Sequence, residues 1–262
     1  MWPRVSDRRA FVVALGGVIL LAWLSLWIWQ RSPYGRFLSH GENEGVHGLG
    51  SHYLVLAVIF VLGWTLMTVA MMLPTSVPLV ALFHSFVRAR PHQVQLVALL
   101  VVGYLGVWTA FAVFVHAADL GLHRTVDSIG WLDAHAWIVS AGTILLVGVY
   151  QFTPLKYRCL DKCRSPLSFI IEHWRGGSER AQALRLGVSH GLFCLGCCWA
   201  LMLMMFAVGV GNIGWMLALG AVMAFEKNAP WGRRLTAPLG GLLVAWGLTL
   251  VLLGAPGPGG TQ

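Results

Sequence analysis

Charge is scarce in this sequence. Asp, Glu, Lys and Arg make up 11% of its 262 residues, where a soluble domain carries about 25%. That leaves too little polar surface to cover a water-exposed globule. The 57% hydrophobic content and the mean hydropathy of +0.72 point instead to a chain solvated by lipid. Acid is scarcer than base, 10 residues against 18. Also missing are a phosphate-binding glycine loop, a Ser/His/Asp nucleophile arrangement and paired carboxylates deep in an apolar run, so no catalytic residue is assigned and an enzyme is not the expectation. No internal repeat of the kind that marks many secondary transporters is present, which weakens a transporter reading.

What is there is a series of apolar runs near the ~20 residues needed to cross the hydrocarbon layer. They read as Phe11–Trp29, Tyr53–Leu73, Leu96–Ala118, Trp137–Phe152, Gly191–Val210, the short Ile213–Phe225 and Leu239–Leu253. The piece Val77–Phe86, beyond Pro74, either continues the second run past a kink or forms its own half-helix. The expected fold is therefore all-α: a polytopic transmembrane helix bundle of about seven spans, within a range of six to eight, forming one domain over residues 1–262. The basic start resembles a signal peptide, but the first run exceeds the usual apolar core of about 7–15 residues and no small-x-small site follows, so a retained helix is expected. The tail 254–262, rich in Gly and Pro, is expected to be disordered.

Lys and Arg collect on the cytoplasmic side of short loops. With the N-terminus cytoplasmic and seven alternating spans, 15 of the 18 Lys and Arg fall inside; only Arg31, Arg36 and Arg124 fall outside. The net charge of +8 is then a topology signal and calls for no nucleic-acid partner. The expected location is the inner (plasma) membrane, with the lipid bilayer as the immediate partner; oligomeric state is not encoded in any visible feature. The longest inside loop is expected from Leu155 to His190, with an amphipathic piece, Ser168–Trp174, along the membrane surface. The outer loop Gln30–His52 carries His40, His47 and His52, and the outer loop Asp119–Ala136 carries three Asp and two His; these outer histidines could capture a metal.

All five cysteines fall between Cys159 and Cys198, as Cys159-x3-Cys163 and Cys194-x2-Cys197-Cys198, the latter preceded by His190. Side chains advance by about 100° per residue on a helix, so His190, Cys194 and Cys197 share a stripe with Cys198 on its flank. The topology puts both groups at the inner ends of neighbouring spans, where together they could supply three or four ligands to a soft or borderline ion. Disulfides are not expected on that reducing side. Met67, Met71 and Met72 end the second run, and Met202, Met204 and Met205 follow the cysteines; thioethers select soft ions such as Cu(I). Pro74 and Pro78 break the helix beside the first Met group, and Thr75 and Ser76 could satisfy the freed backbone groups. Glu226, at the end of the sixth run, is an intramembrane acid and a functional candidate by position; it reads as a snorkelling ion pair at the inner interface.

Four segments carry a family resemblance: Trp64-x2-Met67-x3-Met71-Met72-Leu-Pro74-Thr-x2-Pro78; Tyr150-Gln-x-Thr-Pro154-Leu-Lys156-x2-Cys159-x3-Cys163-Arg-Ser-Pro166; His190-Gly-Leu-x-Cys194-Leu-Gly-Cys197-Cys198-Trp199; and Glu226-Lys227. Over about residues 55–230 the chain resembles the bacterial family of predicted metal-binding integral membrane proteins, a family of undefined activity. That resemblance implies metal binding through the same cysteines and histidine.

The expectation is an inner-membrane protein that binds Cu(I) for delivery or homeostasis, with Zn(II) the alternative ion. His190, Cys194, Cys197 and Cys198 are the primary ligands, Cys159 and Cys163 complete or gate the site, and Met67, Met71 and Met72 pass or hold Cu(I) deeper in the bilayer. A metal donor or acceptor protein would be the partner. Two other readings stay open: a membrane thiol-redox protein using Cys194/Cys197, and a non-catalytic assembly or scaffold protein in which the cysteines only pack.

Overall fold

In the computed structural model, residues 5–31, 51–133, 135, 137–174, 176–209 and 212–254 are described. His40, His47 and the tail beyond Gly254 lie outside the described residues. In chain order the helices are α1 (Val5–Arg31), α2 (Ser51–Met71), α3 (Leu73–Phe86), α4 (Gln93–Ser128), α5 (Gly130–Asp133), α6 (Trp137–Tyr150), α7 (Pro154–Cys163), α8 (Pro166–His173), α9 (Glu179–Val208), α10 (Ile213–Asn228) and α11 (Gly232–Leu253). There is no strand among the described residues, so the fold is all-α.

Five helices, α1, α2, α4, α9 and α11, are long and apolar enough to cross a membrane, and the bent pair α6–α7 would make a sixth. The elements near the Pro and Gly signals depart most from the simple count of runs. The second run and Val77–Phe86 are two helices, α2 and α3, separated at Met72 with Pro74 in the first turn of α3. The fourth run stops at Tyr150, and α7 leaves at 66°. Thr153 caps α7 by accepting from the Lys156 backbone N–H, and Pro154 has no N–H to lose there. The sixth run is the 16-residue α10, which extends through Asn228.

Two expected loops are largely helical. The stretch Leu155–His190 holds α7, α8 and the first three turns of α9, punctuated by Gly176 and Gly177 at φ 93° and 105°. The stretch Asp119–Ala136 holds the end of α4 and the short α5. At 36 residues α4 is about 54 Å long, well beyond a ~30 Å hydrocarbon core; its polar end is helix that an apolar-run count does not register. The amphipathic piece is α8: Phe169 and Ile170 are buried, while Leu167 and Ile171 are exposed. Phe169 and Ile170 join a cluster with Phe83 and Val87 of the α3 end, Leu100 of α4 and Leu186 of α9.

The bundle is organised around α9. Its apolar stretch is 61% buried, against 11% for α1. Small residues let its neighbours come close. A Cβ at Gly187 would fall on the Leu100 backbone, and one at Gly103 would lie 2.6 Å from the Leu184 carbonyl oxygen, so α4 and α9 pack backbone to backbone. On the other side of α9 sits α7: a Cβ at Gly196 would lie 2.5 Å from Cys159 Sγ. These contacts put the cysteines of α7 and α9 and the α2–α3 break into one buried cluster, with Met72, Cys194, Cys197 and Cys198 at its centre.

Candidate metal centre

The break between α2 and α3 aims polar atoms inward. Thr75 Oγ1 donates to the Met72 carbonyl at 2.7 Å, and the Tyr104 hydroxyl from α4 reaches the same oxygen at 3.3 Å. The freed Met72 carbonyl is thus satisfied within the protein. Met72 is fully buried and its thioether faces α9: Cys198 Sγ lies 3.5 Å from Met72 Sδ.

On α9 the sulfurs have different partners. Cys197 Sγ lies 3.9 Å from Cys163 Sγ of α7. Cys194 Sγ lies 3.1 Å from the Tyr104 hydroxyl and 3.0 Å from the ammonium of Lys227 on α10. The thiols of Cys197 and Cys198 donate to the Cys194 carbonyl, at 3.1 and 2.8 Å. All five cysteines are free; Cys163 is partly exposed and the other four are buried.

The sulfur pairs are separated as two ligands of one ion would be. With a metal–sulfur bond of about 2.3 Å, a 3.9 Å pair subtends about 116° at the ion and a 3.5 Å pair about 99°. Among the described residues no three Cys, His, Asp or Glu side chains already converge on one point. The sulfurs form two adjoining pairs, and one of these uses a thioether.

Of the remaining predicted residues, Cys159 is buried against Gly196, beside Cys197 on α9. His190 lies one turn from Cys194, but its Nε2 is 3.1 Å from Ser76 Oγ and its ring stacks on Tyr104 at 5.5 Å. Its Nδ1 is buried without a hydrogen-bond partner among the described residues. Met67 and Met71 are buried in the same cluster, with Met71 directed at Gly220 of α10. Pro74 lies in the first turn of α3, at the break.

Glu226 is in an ion pair, as expected, but the pair is buried within the protein. Lys156 Nζ donates to the Glu226 carboxylate at 2.9 Å, with the two side chains 0% and 2% exposed, and Thr236 Oγ1 donates at 3.0 Å. Arg164 donates to the Glu226 and Pro230 carbonyls. The pair forms because the bend after Tyr150 carries Lys156 inward against the end of α10. The next residue, Lys227, then points the other way, to the sulfurs. Sequence reasoning missed Lys156, Tyr104 and Lys227 as site residues. For Lys227 the signal was available: a cation in a short apolar helix marks a functional position as an acid does.

Neither a curated protein sequence nor a solved structure matches the chain. A family model does, over residues 61–250, which hold every sulfur contact above, and its description is "copper chaperone". The chain therefore belongs to the copper-chaperone family PpoB2.

Proposed function

We propose that the chain is a membrane-embedded Cu(I) carrier that holds the ion among sulfurs and passes it to an acceptor protein. The observation that carries this reading is the pairing of Cys198 with Met72 and of Cys197 with Cys163 across three separate elements, buried within the region matched by the copper-chaperone family. Cys194 and Cys198 on α9, with Met72 at the α2–α3 break, form the inner sulfur group. Cys197 and the partly exposed Cys163 form the outer one, and Cys163 is where an incoming ion first meets sulfur. His190 and Cys159 flank the two groups, and Met67 and Met71 extend the thioether lining along α2. Copper is the cargo, bound and released by exchange of one sulfur ligand for another with no change of oxidation state.

The ligand chemistry favours Cu(I). Thiolate with thioether suits a soft monovalent ion, whereas Zn(II) sites use Cys, His and carboxylate. The charge bias of the sequence supports a cytoplasmic N-terminus in the inner membrane; Cys194, Cys197 and Cys198 lie near the middle of α9, and Cys163 at the C-terminal end of α7. The thiol-redox reading is weaker: beside their contact with each other, Cys194 Sγ is engaged by Lys227 and Tyr104 and Cys197 Sγ by Cys163 of α7.

The test is metal content by elemental mass spectrometry on protein purified in detergent without oxygen and offered Cu(I) or Zn(II). Copper bound in stoichiometric amount, and lost when Cys194, Cys197 and Cys198 are changed to Ser, is the expected result. Zinc in place of copper would discard the copper role, and no metal on either protein would discard the site.

A further inference from the structure

Among the described residues, Lys227 is the charged group seated against the inner sulfurs. Its Nζ lies 3.0 Å from Cys194 Sγ, 3.8 Å from Cys198 Sγ, 4.0 Å from Met72 Sδ and 3.0 Å from Thr75 Oγ1. The residue is 6% exposed. No carboxylate contacts it among the described residues, because the adjacent Glu226 is taken by Lys156 and Thr236. A buried ammonium without an acid partner is costly and is rarely kept without a role.

Its position is also held from behind. The Lys156–Glu226 pair and the Arg164 contacts to the Glu226 and Pro230 carbonyls fix the end of α10 from which Lys227 projects. These contacts tie the backbone there to α7, while the four-carbon stem of the lysine is flexible.

We propose that Lys227 is a resident placeholder cation: its ammonium fills the inner sulfur site in the copper-free protein, and Cu(I) binds by displacing it. This rests on the Cu(I) reading above and assigns how that same site stays intact when empty and which ions it admits. On the ammonium's side of the Cys198–Met72 pair the distances make the two cations mutually exclusive. An ion about 2.3 Å from both Cys198 and Met72, on the ammonium's side of that pair, would sit about 2 Å from Nζ. One of them has to leave.

The exchange is isovalent. One monovalent cation departs as another arrives and no electron moves; the Cys198 thiol, which donates to the Cys194 carbonyl in the copper-free protein, releases its proton to solvent as it becomes a thiolate ligand. A divalent ion entering by the same exchange would leave one extra positive charge in a low-dielectric site. Lys227 therefore works against Zn(II) as well as holding the site for Cu(I).

The experiment compares purified full-length protein with Lys227→Leu and Lys227→Arg, titrating each against a chromophoric Cu(I) chelator and, separately, a Zn(II) indicator. Removing the competitor in Lys227→Leu is expected to tighten Cu(I) binding at least tenfold and to make Zn(II) binding measurable. Lys227→Arg keeps the charge on a bulkier head and is expected to weaken Cu(I) binding at least tenfold. Unchanged or weaker Cu(I) binding by Lys227→Leu, with cysteine-dependent binding intact in the unsubstituted protein, overturns the placeholder alone. Should Lys227→Leu not fold, Cu(I) binding by Lys227→Arg as tight as that of the unsubstituted protein overturns it equally. Absence of cysteine-dependent Cu(I) binding in the unsubstituted protein overturns the copper reading and this inference with it.

Discussion

Changing Lys156 to Met removes one half of a pair that has no water to fall back on. The Lys156 and Glu226 side chains are 0% and 2% exposed and 2.9 Å apart, and among the described residues the other side-chain donor to the Glu226 carboxylate is Thr236. Breaking such a pair from one side leaves a buried charge uncompensated and costs about 3–5 kcal/mol. That is a large part of a native stability of about 5–15 kcal/mol. For chains near this size each kcal/mol moves the midpoint by about 2–4 °C, so Tm should fall by about 6–20 °C. The thirteen Trp residues provide a fluorescence signal for a thermal scan in detergent. The control is the double variant Lys156→Met with Glu226→Leu, which removes both charges and should recover most of the loss. A single variant that melts within about 2 °C of the unsubstituted protein would refute the reasoning, because less than about 1 kcal/mol would then hang on the pair.

Gly187→Leu should abolish a folded, monodisperse protein in size-exclusion chromatography, since even a Cβ at that position meets the Leu100 backbone and neither helix can yield. Gly196→Ala should be milder, costing about 1–3 kcal/mol in the same thermal scan, because the atom it meets is the Cys159 thiol, which can rotate. Mild oxidation of the copper-free protein should link Cys163 to Cys197, whose sulfurs are 3.9 Å apart, and Cu(I) loading should block the link; peptide mapping by mass spectrometry reads both results, and a Cys194–Cys197 link instead would favour the thiol-redox reading.

The apolar runs were legible because lipid imposes a length and a composition on any crossing helix, and five of them reappear within long apolar helices. The helical stretches that an apolar count does not detect are amphipathic or polar. α7 and α8 begin at Thr153-Pro154 and Ser165-Pro166, start signals that were present in a stretch read as loop. The cysteine groups were legible as a stripe on one helix, and the structure brings Cys163 of the first group to Cys197 of the second. Which thioether would join them was not: Met67, Met71 and Met72 look alike in sequence, and the break at Met72 alone turns one of them to Cys198. The fate of Glu226-Lys227 was also hidden. Adjacent residues on a helix point about 100° apart, so one reaches Lys156 and the other the sulfurs, and only the path of α7 decides which.

The central claim is that Cu(I) sits among sulfurs drawn from α9, α7 and the α2–α3 break. X-ray absorption at the copper edge of the loaded protein tests it most directly. The account predicts a Cu(I) edge with sulfur scatterers at about 2.3 Å and a loss of one sulfur in Met72→Leu. A first shell made of nitrogen and oxygen, or a spectrum that Met72→Leu and Cys198→Ser leave unchanged, would contradict it.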